Sequence, residues 1–152
     1  MGNNIPRSYT ERWITRLDLP GIAPRPYERR THQGRFSDRA MAYHERQNAL
    51  RLLIGAWAID HLPNPLEPYT GRISLGVQVT LAPVRAPTVR GHWRETHPAQ
   101  TMDIDNLYKA VADACQGILF ANDRQVWGIL ESWKREGETD HTTILWRQFD
   151  YE

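Results

Sequence analysis

The sequence has one cysteine, two lysines and no long hydrophobic run. The single thiol, Cys115, cannot close a disulfide within the chain, and its apolar surroundings favour a packing role over a catalytic one. No apolar stretch approaches the about 20 residues that a membrane-spanning helix requires. The first residues also lack the basic and apolar segments of a signal peptide. These absences argue against a disulfide scaffold and a membrane-embedded protein, and we expect a cytoplasmic location.

The signatures of several enzyme classes are missing as well. The chain contains no Gly-rich phosphate loop, no Gly-x-Ser-x-Gly nucleophile elbow and no Cys/His spacing suited to zinc. The histidines are scattered, so we interpret His92 and His97 as loop residues rather than metal ligands. A phosphate-loop NTPase, a serine hydrolase and a zinc enzyme are therefore not indicated.

What the sequence does have is arginine, and its charge is unevenly distributed. Arginine supplies 17 of the 19 basic residues, and its planar guanidinium binds phosphate in a bidentate manner. Residues 1–100 carry 14 Arg against 8 Asp and Glu, a net charge of +6, whereas residues 101–152 carry 5 Lys and Arg against 10 Asp and Glu, a net charge of −5. A basic half that binds a polyanion and an acidic cluster that binds a metal would fit this division. A bias in genomic base composition would produce the same arginine content.

Hydrophobic periodicity predicts a small α+β protein. A chain of 152 residues is normally one domain, here with residues 1–12 as a flexible extension. We expect a mixed sheet packed against two main helices, in a homodimer. The predicted elements are a strand over residues 13–19, a helix over 38–59 capped by Ser37, a strand over 72–81, a helix over 105–116 that ends at Gly117, and strands over 125–133 and 142–149.

Further details of this prediction concern burial and connections. The first helix should pack through four apolar residues at helical spacing, Leu50, Leu53, Ile54 and Trp57. The strand over residues 72–81 alternates, which predicts one buried and one solvent-exposed face. The last two strands should form a hairpin through Gly137. Two loops rich in proline and arginine, over residues 20–34 and 83–98, should connect the earlier elements.

The most informative segment is Asp103-Ile104-Asp105-Asn106-Leu107-Tyr108-Lys109, followed by Asn122-Asp123. Asp103 and Asp105 lie where an extended segment turns into a helix, and Asp123 lies beyond the helix end. Carboxylates at a helix N-terminus can gather hard oxygen ligands around a divalent cation. The sequence therefore predicts a metal site suited to phosphoryl chemistry.

An alternative interpretation covers part of this segment. Asp105, Lys109 and Asp113 are four residues apart, opposite the apolar stripe of their helix, and would also suit a solvated face with ion pairs. That alternative accounts less well for Asp103 and Asp105, because two carboxylates two residues apart repel each other unless a cation lies between them. An EF-hand loop is excluded, since leucine and tyrosine occupy its fifth and sixth positions.

In this order the residues resemble the RusA family of Holliday-junction resolvases. The resemblance lies in the Asp-x-Asp-Asn-Leu-x-Lys motif of residues 103–109, in Asp113-x-x-x-Gly117 and in Asn122-Asp123-Arg124-Gln125-Val126. It is specific over residues 103–126 and looser upstream, where Arg25-Pro26 and Tyr43 also match. The family usually has two aspartates where this chain has Asn122-Asp123. The second is the essential one in the family pattern, so we expect Asn122 to be tolerated.

The resemblance implies a homodimeric endonuclease that resolves four-way DNA junctions by paired symmetric nicks, using Mg²⁺, for which Mn²⁺ can substitute. By similarity, Asp103, Asp105 and Asp123 bind the metal and Lys109 is the catalytic lysine. A role in DNA recombination and repair, a nucleoid-associated location, a bacterial or prophage gene and no nucleotide cofactor follow from the same resemblance. The alternative is a non-catalytic protein that binds junctions or other branched DNA on the same scaffold.

The arginine-rich segments are expected to hold DNA phosphates, and such contacts set register without reading sequence. We interpret Trp93, within the second of these segments, as a packing residue, with a wedge between bases as the alternative. The arginines assigned to DNA are Arg25, Arg29, Arg30, Arg35, Arg39, Arg85, Arg90 and Arg94.

Overall fold

The computed structural model describes residues 9–11, 14–25 and 38–151. Arg29, Arg30, Arg35 and the predicted cap Ser37 lie outside these ranges. Residues 9–11 of the expected flexible extension form a strand, and the rest of that extension also lies outside. The elements are β1 (Tyr9–Glu11), β2 (Thr15–Pro20), α1 (Asp38–His61), β3 (Ile73–Leu81), β4 (Val84–Pro87), β5 (Trp93–Thr96), α2 (Pro98–Thr101), α3 (Ile104–Cys115), a 3-10 turn (Asp123–Gln125), β6 (Val126–Ile129), β7 (Trp133–Glu136) and β8 (His141–Tyr151).

One mixed sheet, with β3 at its centre, organises the described residues. On one side β3 pairs antiparallel with β8, whose outer edge pairs with β2 and β1. On the other side β3 pairs in parallel with β6 and then β7. Helix α3 packs against β3, and α1 packs against α3. The prediction of an α+β domain with a mixed sheet and two main helices is confirmed.

The expected hairpin of the last two strands is wrong. Both β7 and β8 are bonded to β3, which lies between them: Val79 pairs with Lys134 on one side and with Thr142 on the other. The chain therefore crosses from one edge of β3 to the other through residues 137–140. Hydrophobic periodicity identifies strands but does not say which strands are neighbours in the sheet. A glycine between two strands does not by itself define a hairpin turn.

The expectation of a solvent-exposed face on β3 is also wrong. Its pattern of alternate polar residues predicted that face, yet Ser74 and Thr80 are buried. The residues between β6 and β7 cover it, since a Cβ added at Gly76 would lie 2.9 Å from the Leu130 Cβ. Arg135 Nε also donates to the Thr80 hydroxyl at 3.0 Å. The small polar side chains on this face of β3 therefore pack against the chain between β6 and β7 and are not exposed to water.

The helix α1 packs through a narrower stripe than predicted. Leu50 and Ile54 are buried in the core, whereas Leu53 is 43% exposed, so its assignment to the stripe is wrong. Helices α1 and α3 run side by side in the same direction: Gln47 Nε2 donates to the Ala110 carbonyl at 2.9 Å. Arg51 Nη1 donates to the carbonyl of Ala114 at 3.1 Å and thereby satisfies the C-terminal end of α3.

The segment over residues 83–98 is not the irregular loop that its prolines and arginines suggested. It folds into an antiparallel hairpin of β4 and β5, in which Val84 pairs with Thr96 and Pro87 with Trp93. The single-turn helix α2 follows, with Pro98 at its start. No helix in the described part of the chain is long and apolar enough to cross a bilayer.

Candidate functional site

The two aspartates of the motif lie at the beginning of α3. Asp103 is the N-cap residue, with extended backbone angles (φ −74°, ψ 137°), but its side chain makes no capping hydrogen bond. Asp105 lies in the first helical turn, and both side chains are exposed. The helix is held by its opposite face, where Leu107 and Val111 are buried. The sequence thus presents two carboxylates at a positive helix end without using either to cap the helix.

Strand β7 holds the segment that leads into Asp103. The Lys134 ammonium donates to the Met102 carbonyl at 2.6 Å. The Glu136 carboxylate accepts a hydrogen bond from Gln100 Nε2 at 2.9 Å and lies 3.4 Å from His97 Nδ1. Sequence reasoning missed these positioning residues, because nothing along the chain indicates that β7 lies beside α2.

Lys109 lies on the exposed face of α3, one turn beyond Asp105. Its ammonium is 3.7 Å from the Asp113 carboxylate, and the same carboxylate accepts from Gln116 Nε2 at 3.2 Å. This contact agrees with the alternative interpretation of a solvated helix face with ion pairs. The side chain of Lys109 is still 61% exposed, so it can leave Asp113 for an anionic ligand at little cost.

Two other titratable groups on α3 have structural roles. The Tyr108 hydroxyl donates to the Leu75 carbonyl at 2.9 Å and anchors the helix to β3, and burial raises the pKa of this phenol to about 12. Burial likewise raises the pKa of the Cys115 thiol to about 12. Cys115 is fully buried in the hydrophobic core, which confirms it as a packing residue, and a protonated thiol is a poor nucleophile.

Asp123 opens the 3-10 turn that precedes β6, and its neighbours form a capping box. Asn122 Oδ1 accepts from the Arg124 amide at 2.9 Å, and Gln125 Oε1 accepts from the Asn122 amide at 2.7 Å. Gln125 Nε2 also donates to the carbonyls of Tyr69 and Gly71 at 2.7 and 2.8 Å. Asparagine and aspartate cap equally well, which supplies a physical reason why asparagine can stand at position 122. The Asn-x-x-Gln spacing was visible in the sequence.

Within one chain, Asp123 lies at the other end of α3 from Asp103 and Asp105. The connection after α3 returns to Tyr69, whose carbonyl accepts from the Ala121 amide at 3.1 Å. The Met102 carbonyl before α3 accepts from Lys134, whose partner in β3 is Val79, whereas Val126 after the 3-10 turn pairs with Ile73. The stretch of β3 from Ile73 to Val79 spans about 20 Å, so Asp123 lies far from Asp103 and Asp105. Accordingly, the described residues contain no group of three or more Asp, Glu, His or Cys placed to hold a metal ion.

The arginines assigned to DNA fall into three groups. Arg85, Arg90 and Arg94 are exposed on the β4–β5 hairpin and its turn. Arg25 is exposed and lines a small cavity that Val84 and Met102 also line, so it lies near the beginning of α3. Arg39 lies in the first turn of α1, where its side chain is outside the described part. Arg46, by contrast, donates to the Ala23 carbonyl at 3.2 Å and has a structural role.

Replacing Gln125 by leucine should lower the free energy of unfolding by about 2 kcal/mol, because two carbonyls and one amide lose their partner. Urea denaturation measures this difference. Asn122→Asp is the matched control in the same turn, and it should stay within about 0.5 kcal/mol of the wild type because the cap is retained. Equal stability of the Gln125→Leu variant and the wild type would show that the hydrogen bonds of Gln125 do not hold the turn.

A mixed α+β domain with paired aspartates at an exposed helix start, beside an arginine-rich hairpin, has the features of a protein that acts on nucleic acid. The family model described as Endodeoxyribonuclease RusA matches residues 21–145, and the chain belongs to this family. Membership makes it an endodeoxyribonuclease, and Holliday-junction resolution is the activity that the family supports in general. No curated protein matches the chain significantly.

Proposed function

We propose that this protein resolves Holliday junctions by metal-dependent hydrolysis, as a homodimer that makes paired symmetric nicks. The observation that carries the proposal is the pair Asp103 and Asp105, two exposed carboxylates that the helix does not use, in a chain of the RusA family. Arg25 and the first residue of the β4–β5 hairpin, Val84, line a cavity with Met102, next to this pair. Arg25 and the arginines of the hairpin would hold the DNA backbone.

The donor chemistry of the pair fits Mg²⁺, with Mn²⁺ as a substitute, since both cations prefer carboxylate oxygen ligands. Asp123 of the same chain does not fit the same ion, because it lies beyond the far end of α3. A site built from one chain would therefore have two of the three proposed carboxylates.

A second copy of the chain would supply the third. In a twofold dimer, Asp123 of each copy can approach Asp103 and Asp105 of the other, and symmetry makes the two resulting sites identical. The homodimer expected from the family is thus also a requirement of the metal site. Two equivalent sites related by a twofold axis suit the two like strands that must be cut in a four-way junction.

Each residue of such a site would have a distinct role in hydrolysis. When bound, the cation would neutralise charge on the phosphate and lower the pKa of an attacking water. Asp103, Asp105 and the second copy's Asp123 would hold it. Lys109 would exchange its contact with Asp113 for the phosphate oxygens, on which negative charge builds up in the transition state. A role in recombination and repair at the nucleoid follows from the substrate.

Cleavage of a synthetic mobile four-way junction, compared with a linear duplex of the same arms, tests this function. In Mg²⁺ or Mn²⁺ we expect paired symmetric nicks in the junction alone, and in EDTA we expect none. Equal cleavage of both substrates would show that the protein is a general nuclease and not a junction resolvase.

The second candidate is a non-catalytic protein that binds branched DNA on the same scaffold. The separation of Asp123 from the other two aspartates within one chain favours it. Tight junction binding without cleavage in either metal would establish this alternative.

A further inference from the structure

The hairpin of β4 and β5 with its turn, residues 84–96 and called the arm below, is unusually exposed. Every residue of both strands is exposed, and within the described sheets the two strands pair only with each other. An isolated two-stranded hairpin is marginally stable in water, and neither face of this one contributes to the core. Its surface is therefore available for a ligand.

Trp93 is the large apolar side chain of the arm, and it does not pack. Its interpretation as a packing residue is wrong, because it is 64% exposed. The Arg85 guanidinium carbon lies 5.7 Å from the ring centroid, within the range of a cation–π contact. Arg85 pairs with Glu95 and Pro87 pairs with Trp93 across the hairpin, so the ring and Arg85 share one face.

The charge of the arm favours an anionic partner. Residues 84–96 carry three arginines against one glutamate, a net charge of +2. Arg85 lies on the face of Trp93, and Arg94, one residue further along β5, lies on the opposite face. Arg90 belongs to the turn, where Gly91 has a φ of +77°. Glu95, opposite Arg85, also lies on the face of Trp93. An exposed aromatic ring beside a guanidinium group, on an arm of net positive charge, suits stacked bases between phosphates better than an apolar protein surface.

The arm stands at a fixed position relative to the acidic pair. His97, α2 and Met102 connect the arm to Asp103. The Glu136 carboxylate of β7 contacts His97 and Gln100, and so fixes this connection against the sheet. At its base, Val84 lines the cavity that Met102 also lines. The strand β5 has four residues, so Trp93 lies about 10 Å along the arm from that base.

We propose that Trp93 stacks on bases exposed at the branch point of the junction, and that the arm thereby distinguishes branched DNA from continuous duplex. The inference rests on the proposed function. Inside a continuous duplex both faces of every base pair are covered by neighbouring pairs. At a branch point, pairs can present an open face on which an aromatic ring stacks. The arginines of the arm hold the flanking phosphates, and these contacts are the same on branched and linear DNA.

Binding measured with EDTA tests the arm without cleavage. The Trp93→Ala variant should bind a four-way junction about tenfold more weakly than the wild type, as expected for one lost base stack. Its affinity for linear duplex of the same arms should be nearly unchanged, and Trp93→Phe should restore most of the junction affinity. Trp127→Ala is the matched control: Trp127 is also 64% exposed and lies under Arg72, at 4.0 Å, but away from the arm.

Several results would overturn the inference. One is a Trp93→Ala variant that binds the junction as tightly as the wild type. Another is an equal loss on junction and duplex, or an equal loss in Trp127→Ala, since either would indicate a general contact rather than a branch-reading one. Failure of the proposed function looks different, because the wild type itself would then show no preference for the junction and would not cut it with Mg²⁺.

Discussion

Mixing the inactive variants Asp105→Asn and Asp123→Asn should restore junction cleavage. If each site combines Asp103 and Asp105 of one copy with Asp123 of the other, a mixed dimer places both substitutions in one site and leaves the second site intact. The result follows from the position of Asp123 at the opposite end of α3 from the pair. After subunit exchange, cleavage of a labelled junction measures the recovery.

The amount and kind of recovered activity can be stated in advance. Random exchange makes about half of the dimers mixed, and each has one working site, so about one quarter of the wild-type sites return. The products should be single nicks rather than paired ones. A mixture of Asp103→Asn with Asp105→Asn is the matched control and should remain inactive, because both sites of that mixed dimer lack one residue of the pair. No recovery in the first mixture, with dimers present, would assign all three carboxylates to one chain.

The substitution Asp105→Asn alone should abolish cleavage while junction binding persists. Loss of a metal ligand removes several kcal/mol of transition-state stabilisation, which corresponds to about a thousandfold in rate. Removal of a negative charge beside the DNA backbone should leave affinity equal or slightly higher. Single-turnover cleavage in Mg²⁺ and binding in EDTA measure the two effects separately.

The matched control for this substitution is Asp113→Asn, on the same face of α3. Asp113 contacts Lys109 and Gln116 and is not among the proposed ligands, so its loss should reduce cleavage far less. Equal losses of cleavage in the two variants would show that Asp113 is as important to the site as Asp105. A fully active Asp105→Asn variant would remove the aspartate pair from the mechanism.

The local elements were predictable from the sequence, whereas their neighbours were not. The periodicity of residues 72–81 and 105–116 identified β3 and α3 to within a residue or two. It failed where burial depends on another part of the chain: Leu53 fits the helical stripe but is exposed, and Ser74 fits a wet face but is covered. The pairing of β7 with β3 rather than β8 belongs to the same class, since strand order is a long-range property.

The candidate site shows the same division. The aspartates and Lys109 were recognisable as a motif, because their chemistry and spacing lie along the chain. Their relative positions were not, because the direction of the connection after α3 depends on contacts with Tyr69 made more than 50 residues away. The burial of Trp93 was predicted wrongly because the prolines and arginines around it indicated an irregular loop, whereas the segment forms an exposed hairpin.

The pairing of β8 has a consequence for how the protein is made. Trp146 of β8 lies between Thr15 of β2 and Leu75 of β3. Strand β3 can pair with β6 and β7 as soon as these are made, but β2 has no partner until β8 has left the ribosome. Helices α1 and α3 can form from local contacts before then, but the central sheet cannot close. The complete sheet therefore forms only once translation has passed β8, and incomplete chains would lack the strand that joins β2 to β3.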